Sequence, residues 1–245
     1  MINSLSVIFP IFNEQLRINN SLNKIKKFID VSKLKYLEII FIDDGSTDRT
    51  YYIIKNFISV LKKSKKTRIL LLKNFRNLGK GHSLKKGVLH SRADWILTSD
   101  IDLSVDINQY KKWFLKKPPK KNYFIYFGSR NNPHSKVQKT ISRYLLGQFF
   151  RFLILFLFKI NFYDTQCGYK LYKKTIAKKI FSKLKDKRFV HDVEIILIAS
   201  LNKFLIKEMP VNWVHQNNSK VNIFKDIFIM FWDLLMIKKR FLKII

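Results

Sequence analysis

At positions 95–102 the sequence reads Trp95-Ile96-Leu97-Thr98-Ser99-Asp100-Ile101-Asp102. The apolar run predicts a short buried strand, and two carboxylates separated by one residue follow at its end. Two acids this close together offer adjacent oxygen ligands, which hard divalent cations prefer. A cation held there would neutralise a diphosphate and turn it into a leaving group. Because Asp-x-Asp also occurs in ordinary turns, the neighbouring sequence has to decide between a metal site and a turn.

The first half of the chain alternates short β-rich runs with amphipathic segments, which is typical of a mostly parallel sheet flanked by helices. The predicted strands are 6–12, 37–42, 69–72, 94–98 and 123–127. A first helix is predicted at 15–30, with Leu16, Leu22, Ile25 and Phe28 as its buried stripe. A second helix runs towards 61 and a third reaches about residue 90. The fold class is therefore α/β.

The second half begins with a basic, aromatic-rich segment at 136–162, followed by a polar loop at 164–168. Helical patterns follow at 174–184 and 191–202, then a strand-like run at 204–214 and a last helix at 223–245. Since the sequence contains no internal repeat and no low-complexity linker, we expect one domain at 1–222. The C-terminal amphipathic helix at 223–245 is expected to belong to that domain.

The composition indicates anionic partners. The 245 residues carry a formal net charge of +31, with a pI near 10.2. Nucleic acid, an acidic membrane surface and phosphorylated small molecules all meet this description. Lys, Ile, Asn and Phe are abundant together, as an AT-rich genome would produce, so part of the charge belongs to solvated faces. A single cysteine, Cys167, excludes an intrachain disulfide and suits a reducing compartment.

The sequence shows no secretory signal and no uninterrupted apolar stretch of ~20 residues, which a membrane-spanning helix needs. Two segments nevertheless combine aromatic and basic residues, at 145–159 and at 223–245. Such composition suits a helix lying in a membrane interface. The alternative is that both helices cover the sheet or form a dimer contact. We expect a cytoplasmic protein that associates peripherally with an anionic membrane surface.

Polar groups follow the predicted strands at the point where each one ends. Asn13-Glu14 follows the first strand, Asp43-Asp44 the second, the Asp-x-Asp pair the fourth and Arg130 the fifth. In open α/β sheets the ligand crevice lies at the carboxyl ends of the strands. Carboxylates there can accept hydrogen bonds from a nucleobase imide or from ribose hydroxyls. Lys80, between two glycines, is placed where backbone and charge can both approach a ligand, although the spacing is not that of a Walker phosphate loop.

Several strings of the sequence resemble glycosyltransferase family 2, whose members have the GT-A fold. The second half narrows the resemblance to the dolichyl-phosphate β-glucosyltransferases and, less closely, to the polyprenyl-phosphate mannosyltransferases. The strings lie in the order expected for the family over nearly the whole chain, and Asp-Thr-Gln-Cys-Gly is the most specific of them. They are Val7-Ile8-Phe9-Pro10-Ile11-Phe12-Asn13-Glu14, Ile42-Asp43-Asp44-Gly45-Ser46-Thr47-Asp48, Asp100-Ile101-Asp102, Gly128-Ser129-Arg130, Asp164-Thr165-Gln166-Cys167-Gly168-Tyr169-Lys170, Asp192-Val193-Glu194 and Val211-Asn212-Trp213.

The resemblance implies roles at the matching positions. It makes the Asp-x-Asp pair the ligands of Mg²⁺ or Mn²⁺, with Asp102 the more direct ligand, and Asp192 a candidate base or sugar-orienting residue. It makes Asp43 a support of the nucleoside pocket. The residues expected to bind the donor are Pro10, Phe12, Glu14, Asp43, Asp44, Lys80 and Asp100, and those expected to meet the acceptor or its phosphate are Arg130, Arg143 and Gln166.

The activity implied by the resemblance is inverting transfer of a hexose from a nucleotide sugar to a polyprenyl phosphate, either dolichyl or undecaprenyl phosphate. UDP-glucose is the leading donor and GDP-mannose the second, and the expected setting is glycosylation of cell-envelope components.

Two features of the sequence differ from the pattern of the family. Its eukaryotic members begin with a membrane-spanning segment that this sequence does not show, and His191 precedes Asp192-Val193-Glu194 where the family has an aromatic residue.

Two alternatives stay open at this point. A family 2 transferase could instead add its sugar to a hydroxyl of a glycan or lipopolysaccharide, in which case a general base is required. A nucleic-acid-binding protein is suggested by charge and aromatic content alone. The sequence contains no helix-turn-helix, zinc-finger or RNA-stacking motif, and its acids concentrate in the predicted crevice, so we expect no nucleic-acid partner.

Overall fold

The computed structural model describes residues 2–61, 64–115, 123–138, 141–214 and 223–242, of which 141–146, 223–228 and 242 are described as backbone only. The strands are β1 (Ser4–Ile11), β2 (Tyr36–Asp43), β3 (Thr67–Lys73), β4 (Trp95–Thr98), β5 (Ile125–Ser129), β6 (Lys136–Val137), β7 (Lys170–Lys173), β8 (Ile206–Pro210) and β9 (Asn212–Trp213). The helices are α1 (Ile18–Asp30), α2 (Thr50–Ser59), α3 (Lys80–His90), α4 (Gln109–Trp113), α5 (Ile141–Phe158), α6 (Lys174–Lys183), α7 (His191–Leu201) and α8 (Ile223–Leu242).

The central sheet has the order β3-β2-β1-β4-β7-β5-β8, and β6 pairs with β9 in a small second sheet. The pairs β1–β2, β2–β3, β1–β4 and β5–β8 are parallel, whereas β7 runs antiparallel to both of its neighbours. The predicted α/β class with a mostly parallel sheet is therefore confirmed. The register places Ile11 of β1 opposite Asp43 of β2, so the carboxyl ends of these two strands lie level.

Helices cover both faces of the sheet because successive strand residues point to opposite sides. In β1, Val7 and Phe9 belong to one buried cluster and Ile8 to the other. The first cluster includes residues of α1 and α2, and the second includes residues of α3, α6, α7 and α8. This two-sided burial explains why the strands read as nearly continuous apolar runs instead of alternating patterns.

Two of the predicted elements differ from the structure. Leu16 is 90% exposed, because α1 begins at Ile18 and Leu16 lies in the preceding turn. The other three residues of the predicted stripe are buried. The run predicted as one strand at 204–214 divides into β8 and β9, which lie in different sheets. Pro210, at the end of β8, has no amide hydrogen to continue a ladder, and the next amide, that of Val211, donates to Ser135 Oγ at 3.0 Å.

The two aromatic, basic helices each place one face on the protein and one in solvent. In α8, Leu234, Ile237 and Phe241 are buried in the second cluster, whereas Trp232 and Met236 are 50% and 58% exposed. In α5, Ile154 is buried, while the exposed side chains are Phe149, Phe152, Leu155 and Phe156. No helix of the described residues has both the length and the apolar character that crossing a membrane requires.

A buried carboxylate ties strands together away from the crevice. Glu38 of β2 is fully buried and accepts hydrogen bonds from Arg68 Nη1 at 2.7 Å, from the Arg92 amide at 2.6 Å and from Ser6 Oγ. Burial by itself raises the pKa of Glu38. The hydrogen bonds to the carboxylate outweigh that effect, so its pKa lies below the ordinary value.

We expect Glu38→Gln to lower the free energy of unfolding at pH 7 by about 2 kcal/mol, since it leaves buried donors poorly paired. A depressed pKa stabilises the fold above the unfolded-state pKa of about 4.3, and that contribution is lost as the pH falls through the folded-state pKa. The difference between variant and wild type should therefore shrink in urea denaturation below about pH 4. The exposed control Asp30→Asn should change stability by less than about 0.5 kcal/mol. A constant difference from about pH 7 to about pH 3 would contradict the ionised state of Glu38.

Candidate active site

The loops that follow β1 and β2 are joined by hydrogen bonds and form one wall of the crevice. Asn13 has a φ of 53°, a left-handed conformation that Asn tolerates better than most residues. Its amide donates to Ser46 Oγ at 2.9 Å, and its Oδ1 accepts from the Thr47 amide at 2.8 Å. The Glu14 amide donates to Thr50 Oγ1 at 2.7 Å. The wall is therefore held by the protein itself, before any ligand binds.

The two neighbouring acids at the end of β2 have different surroundings. Asp44 accepts hydrogen bonds from Asn74 Nδ2 at 2.7 Å, the Leu78 amide at 3.0 Å and the Gly79 amide at 2.8 Å. Its carboxylate thus holds the loop that leads into α3. Asp43 is fully buried, and its carboxylate accepts hydrogen bonds from the Ser46 amide at 3.3 Å and from the Ser46 side chain. Its Oδ1 has no hydrogen-bond partner among the described residues.

The resemblance implied that Asp44 lines the nucleoside pocket while Asp43 supports it. Asp44 is bonded to the loop, whereas Asp43 is fully buried and keeps an unused acceptor oxygen within the described part of the chain. Burial raises the pKa of Asp43. The division of roles between these two carboxylates stays a prediction.

Lys80 and Asp100 form an ion pair across the crevice. Lys80 is the first residue of α3 and follows Gly79, whose φ is 101°. Its Nζ lies 2.6 Å from Asp100 Oδ1. Partial desolvation opposes the charge of Asp100, but the Lys80 ammonium outweighs it and lowers the pKa of the carboxyl. The side chain of Asp100 is still 44% exposed, so the pair stays open to a ligand.

Asp102 lies in the same turn without such compensation. Its Oδ1 accepts from the Ser104 amide at 3.0 Å. Burial, followed by the nearby charge of Asp100, raises the pKa of Asp102. A divalent cation would relieve both effects, so the pair of carboxylates fits the metal ligands that the sequence predicted.

A metal at this position would also need ligands from outside the protein. The described residues contain no group of three or more His, Cys, Asp or Glu side chains placed to hold a metal ion. Mg²⁺ sites in nucleotide-dependent enzymes commonly combine one or two carboxylates with phosphate oxygens and water. The oxygen set of Asp100 and Asp102 fits a metal that binds together with a diphosphate, and not a metal held by the protein alone.

Asp192 is buried beside a lysine and a histidine. It forms an ion pair with Lys170, and its Oδ1 lies 3.1 Å from His191 Nε2. Lys170 Nζ also donates to the Thr165 carbonyl at 3.0 Å, and His191 Nδ1 lies 2.6 Å from the Arg188 carbonyl. Both ring nitrogens of His191 therefore lie beside oxygen atoms.

These partners bear on the chemistry of Asp192. Burial by itself raises the pKa of Asp192, but the charges of His191 and Lys170 reverse the effect and hold the pKa well below the ordinary range. A general base works best when its pKa lies near the operating pH. The arrangement therefore favours the orienting role for Asp192 over the role of a base.

Arg130 and the polar loop form a second charged group. Arg130 Nε and Nη2 bind Asp164 Oδ2 and Oδ1 at 2.7 and 2.9 Å, and the Arg130 amide donates to the same carboxylate. The guanidinium side chain remains 27% exposed, so its orientation is fixed while part of its charge faces solvent. Gln166 Nε2 is buried and has no hydrogen-bond partner among the described residues. Burial raises the pKa of the Cys167 thiol to about 11, in keeping with a packed side chain.

The structure brings most of the predicted site residues to one edge of the sheet. Pro10 and Phe12 lie half-buried at the exit of β1, and the buried Glu14 is paired with Arg17. The side chain of Arg143 lies outside the described residues.

The sequence alone led us to assign no role to Arg17 or Lys170. The spacing of Arg17 three residues after Glu14 was an available signal, as was the place of Lys170 at the end of the Asp164–Lys170 string.

Comparison with solved structures identifies the fold of this chain. The fold is the GT-A fold of glycosyltransferases. Glucosyl-3-phosphoglycerate synthase from Mycobacterium tuberculosis, solved in complex with Mn²⁺, UDP and phosphoglyceric acid, matches with a TM-score of 0.60 and 14% identity over 89% of this chain and 72% of that one. Staphylococcus aureus TarS residues 1–349 match with a TM-score of 0.54 and 18% identity over 84% of this chain and 57% of that one.

The family follows from the sequence comparisons. The family model "Glycosyl transferase family 2" matches residues 6–181. The dolichyl-phosphate β-glucosyltransferase of Dictyostelium discoideum is 33% identical over 247 residues, which cover 97% of this chain and 75% of that protein. The human protein of the same name is 33% identical over 248 residues, covering 97% and 76%. The chain belongs to glycosyltransferase family 2, and the predicted family is confirmed.

Gly168 permits the position of Asp100, because a Cβ atom at residue 168 would overlap the Asp100 carboxylate. We expect Gly168→Ala to weaken binding of Mn²⁺ together with a nucleoside diphosphate about tenfold or more, since it displaces a ligand oxygen. Electron paramagnetic resonance of free Mn²⁺, titrated with UDP and with GDP separately, measures this. Gly147→Ala is the matched control, because no atom of the described residues lies within 4 Å of where a Cβ would stand at that position. Equal Mn²⁺ affinity in both variants would contradict the metal assignment of Asp100.

Proposed function

We propose that this protein transfers glucose from UDP-glucose to a polyprenyl phosphate, with inversion at the anomeric carbon, at the cytoplasmic face of a membrane. Two relatives are each 33% identical to this chain over 97% of its length, and both are named dolichyl-phosphate β-glucosyltransferases. The observation that carries the proposal is the Asp100–Asp102 pair beside Lys80, at the same edge of the sheet as Asp43. That arrangement suits a nucleoside diphosphate held with a divalent cation.

On the donor side, each group has a distinct task. Asp44 lines the nucleoside pocket with Asp43 as its buried support, and Pro10 and Phe12 supply the apolar wall. Asp100 and Asp102 would hold Mg²⁺ or Mn²⁺, and such a cation would supply charge that offsets the charge developing on the leaving group. Lys80 holds Asp100 in place and adds positive charge beside the same oxygens.

On the acceptor side, the nucleophile needs little activation. A phosphate monoester has a second pKa of about 6, so it is mostly dianionic at neutral pH. Its oxygen can attack the anomeric carbon without a general base, and this agrees with the depressed pKa of Asp192. The requirement is instead for positive charge that docks the phosphate, and for exclusion of water. Arg130, oriented by Asp164, supplies that positive charge, and Gln166 lies in the same loop as Asp164.

Asp192 then acts as an orienting residue. Lys170 and His191 hold its carboxylate in one position at the start of α7. A fixed, ionised carboxylate can accept hydrogen bonds from hydroxyl groups of the sugar and so select its orientation. Because Lys170 pairs in register with Thr98 at the end of β4, the sheet itself places this network beside the Asp-x-Asp turn.

A donor and acceptor screen tests the proposal directly. UDP-glucose, GDP-mannose and other nucleotide sugars are incubated with the protein, undecaprenyl or dolichyl phosphate, and Mg²⁺ or Mn²⁺, and the lipid product is identified by mass spectrometry. With UDP-glucose as the donor, we expect a lipid product that carries glucose linked through phosphate. Mild acid should release the sugar from this product. A parallel reaction replaces the polyprenyl phosphate with a glycan that offers hydroxyl acceptors, and a product stable to mild acid that forms only in that reaction would contradict the phosphate acceptor. Formation of mannosyl lipid from GDP-mannose alone would contradict the donor.

Two substitutions separate the role of Asp192 from that of the metal ligand. We expect Asp102→Asn to lower kcat at least about a hundredfold, because a group that stabilises the leaving diphosphate is lost. Asp192→Asn should raise KM more than it lowers kcat, and the acidic limb of the pH–rate profile near about pH 6 should persist, since it belongs to the acceptor phosphate. The exposed Asp106→Asn in the neighbouring loop is the control. Loss of the acidic limb in Asp192→Asn would restore the base role.

A further inference from the structure

A basic cavity of about 550 Å³ lies between the loop that joins α6 to α7 and the last turns of α8. Lys185, Lys187 and Arg188 line it from the loop, and Asp233, Lys239 and Arg240 line it from α8. Of the lining side chains, five are basic and two are acidic. The cavity is therefore suited to an anion, and it is separate from the strand-end carboxylates that form the donor site.

Both walls of the cavity are held by one buried carboxylate. Glu194 is 2% exposed, and its Oε2 accepts from the Asp186 amide at 2.5 Å and from the Lys185 amide at 3.2 Å. Its Oε1 lies 3.4 Å from Arg240 Nη1 on the opposite wall. The cavity is thus a built feature of the fold, because the loop and α8 are joined through the protein interior.

The loop wall of the cavity also touches the crevice. The Lys187 carbonyl accepts from the His82 amide at 3.1 Å, in the first turn of the helix that begins with Lys80. The Arg188 carbonyl accepts from His191 Nδ1, the ring that binds Asp192. A surface that covers the cavity would therefore lie beside both the donor wall and the Asp192 network.

The face of α8 next to the cavity is apolar and exposed. Trp232 and Met236 lie four residues apart on one side of the helix, with exposures of 50% and 58%, and Lys239 follows one turn later. Phe231 is 37% exposed beside them. Aromatic and apolar side chains bordered by basic ones characterise helices that lie in a membrane interface. The basic charge complements the phosphate of anionic lipid head groups.

We propose that the basic cavity and the adjoining outer face of α8 dock onto the phosphate head groups of an anionic bilayer, which brings the crevice to an acceptor held in that bilayer. The proposal deepens the proposed function and rests on it for the lipid acceptor. It names the part of the surface that binds the membrane, which the net charge of the chain alone does not define.

Co-sedimentation of the full chain tests this with vesicles of phosphatidylcholine alone and of phosphatidylcholine mixed with phosphatidylglycerol. The variant Lys185→Gln/Lys187→Gln/Lys239→Gln removes three charges at the cavity. The matched control Lys24→Gln/Lys26→Gln/Lys27→Gln removes three exposed charges from α1, on the opposite face of the sheet. We expect the cavity variant to lose about a hundredfold in partition into the anionic vesicles, about fivefold for each charge, and the control to lose less than about threefold.

Equal losses in the two triple variants would overturn the proposal, because binding would then follow net charge alone. Binding of inorganic phosphate by the full chain, with no partition into the anionic vesicles, would also overturn it in favour of a soluble anion. Quenching of tryptophan fluorescence by brominated lipid should occur in the wild type and fall in Trp232→Phe, and its absence would overturn the α8 contact. If the wild type binds anionic vesicles but transfers no sugar to detergent-dispersed polyprenyl phosphate, the proposed function fails while the docking surface stands.

Discussion

The ion pair between Lys80 and Asp100 joins the two sides of the crevice. Lys80 begins a helix that is positioned by the Asp44-bonded loop, and Asp100 begins the turn after the fourth strand. The pair places a fixed positive charge beside two carboxylates that would otherwise repel each other. Gly168 completes the arrangement, because only a residue without a Cβ leaves room for the Asp100 carboxylate. The arrangement of charges around Asp100 thus depends on contacts among three separate segments of the chain.

Paired charges recur through the site. Asp192 lies between Lys170 and His191, Asp164 binds Arg130 in a bidentate pair, and the Glu14 carboxylate is paired with Arg17. Burying one of these charges without its partner would be strongly unfavourable. The pairs therefore fix side-chain positions, whereas Asp43 and Asp102 are less compensated and have raised pKa values. A bound ligand or cation would therefore stabilise the charge of these two carboxylates more than that of the paired ones.

Much of this arrangement could be predicted from the sequence, because acids that directly follow a predicted strand can be recognised by their position. The apolar runs located the strands, and the residues that follow them lie at one edge of the sheet as expected. Side-chain partners could not be predicted in the same way. Lys170 reads as an ordinary basic residue, and only the antiparallel pairing of β7 with β4 brings it beside Asp192. The hydrogen bonds of Asp44 likewise depend on the path of the loop at 74–79.

The error at Leu16 has a similar origin, since periodicity cannot locate the first turn of a helix when an apolar residue precedes it. We propose that Asp100 and Asp102 hold a divalent cation together with a diphosphate. Anomalous diffraction from a crystal soaked with Mn²⁺ and UDP measures this directly. We predict one strong peak within coordination distance of Asp102 and of the diphosphate oxygens, with Lys80 still beside Asp100. A nucleotide bound in the crevice with no metal near Asp102, or with the metal elsewhere, would contradict the account.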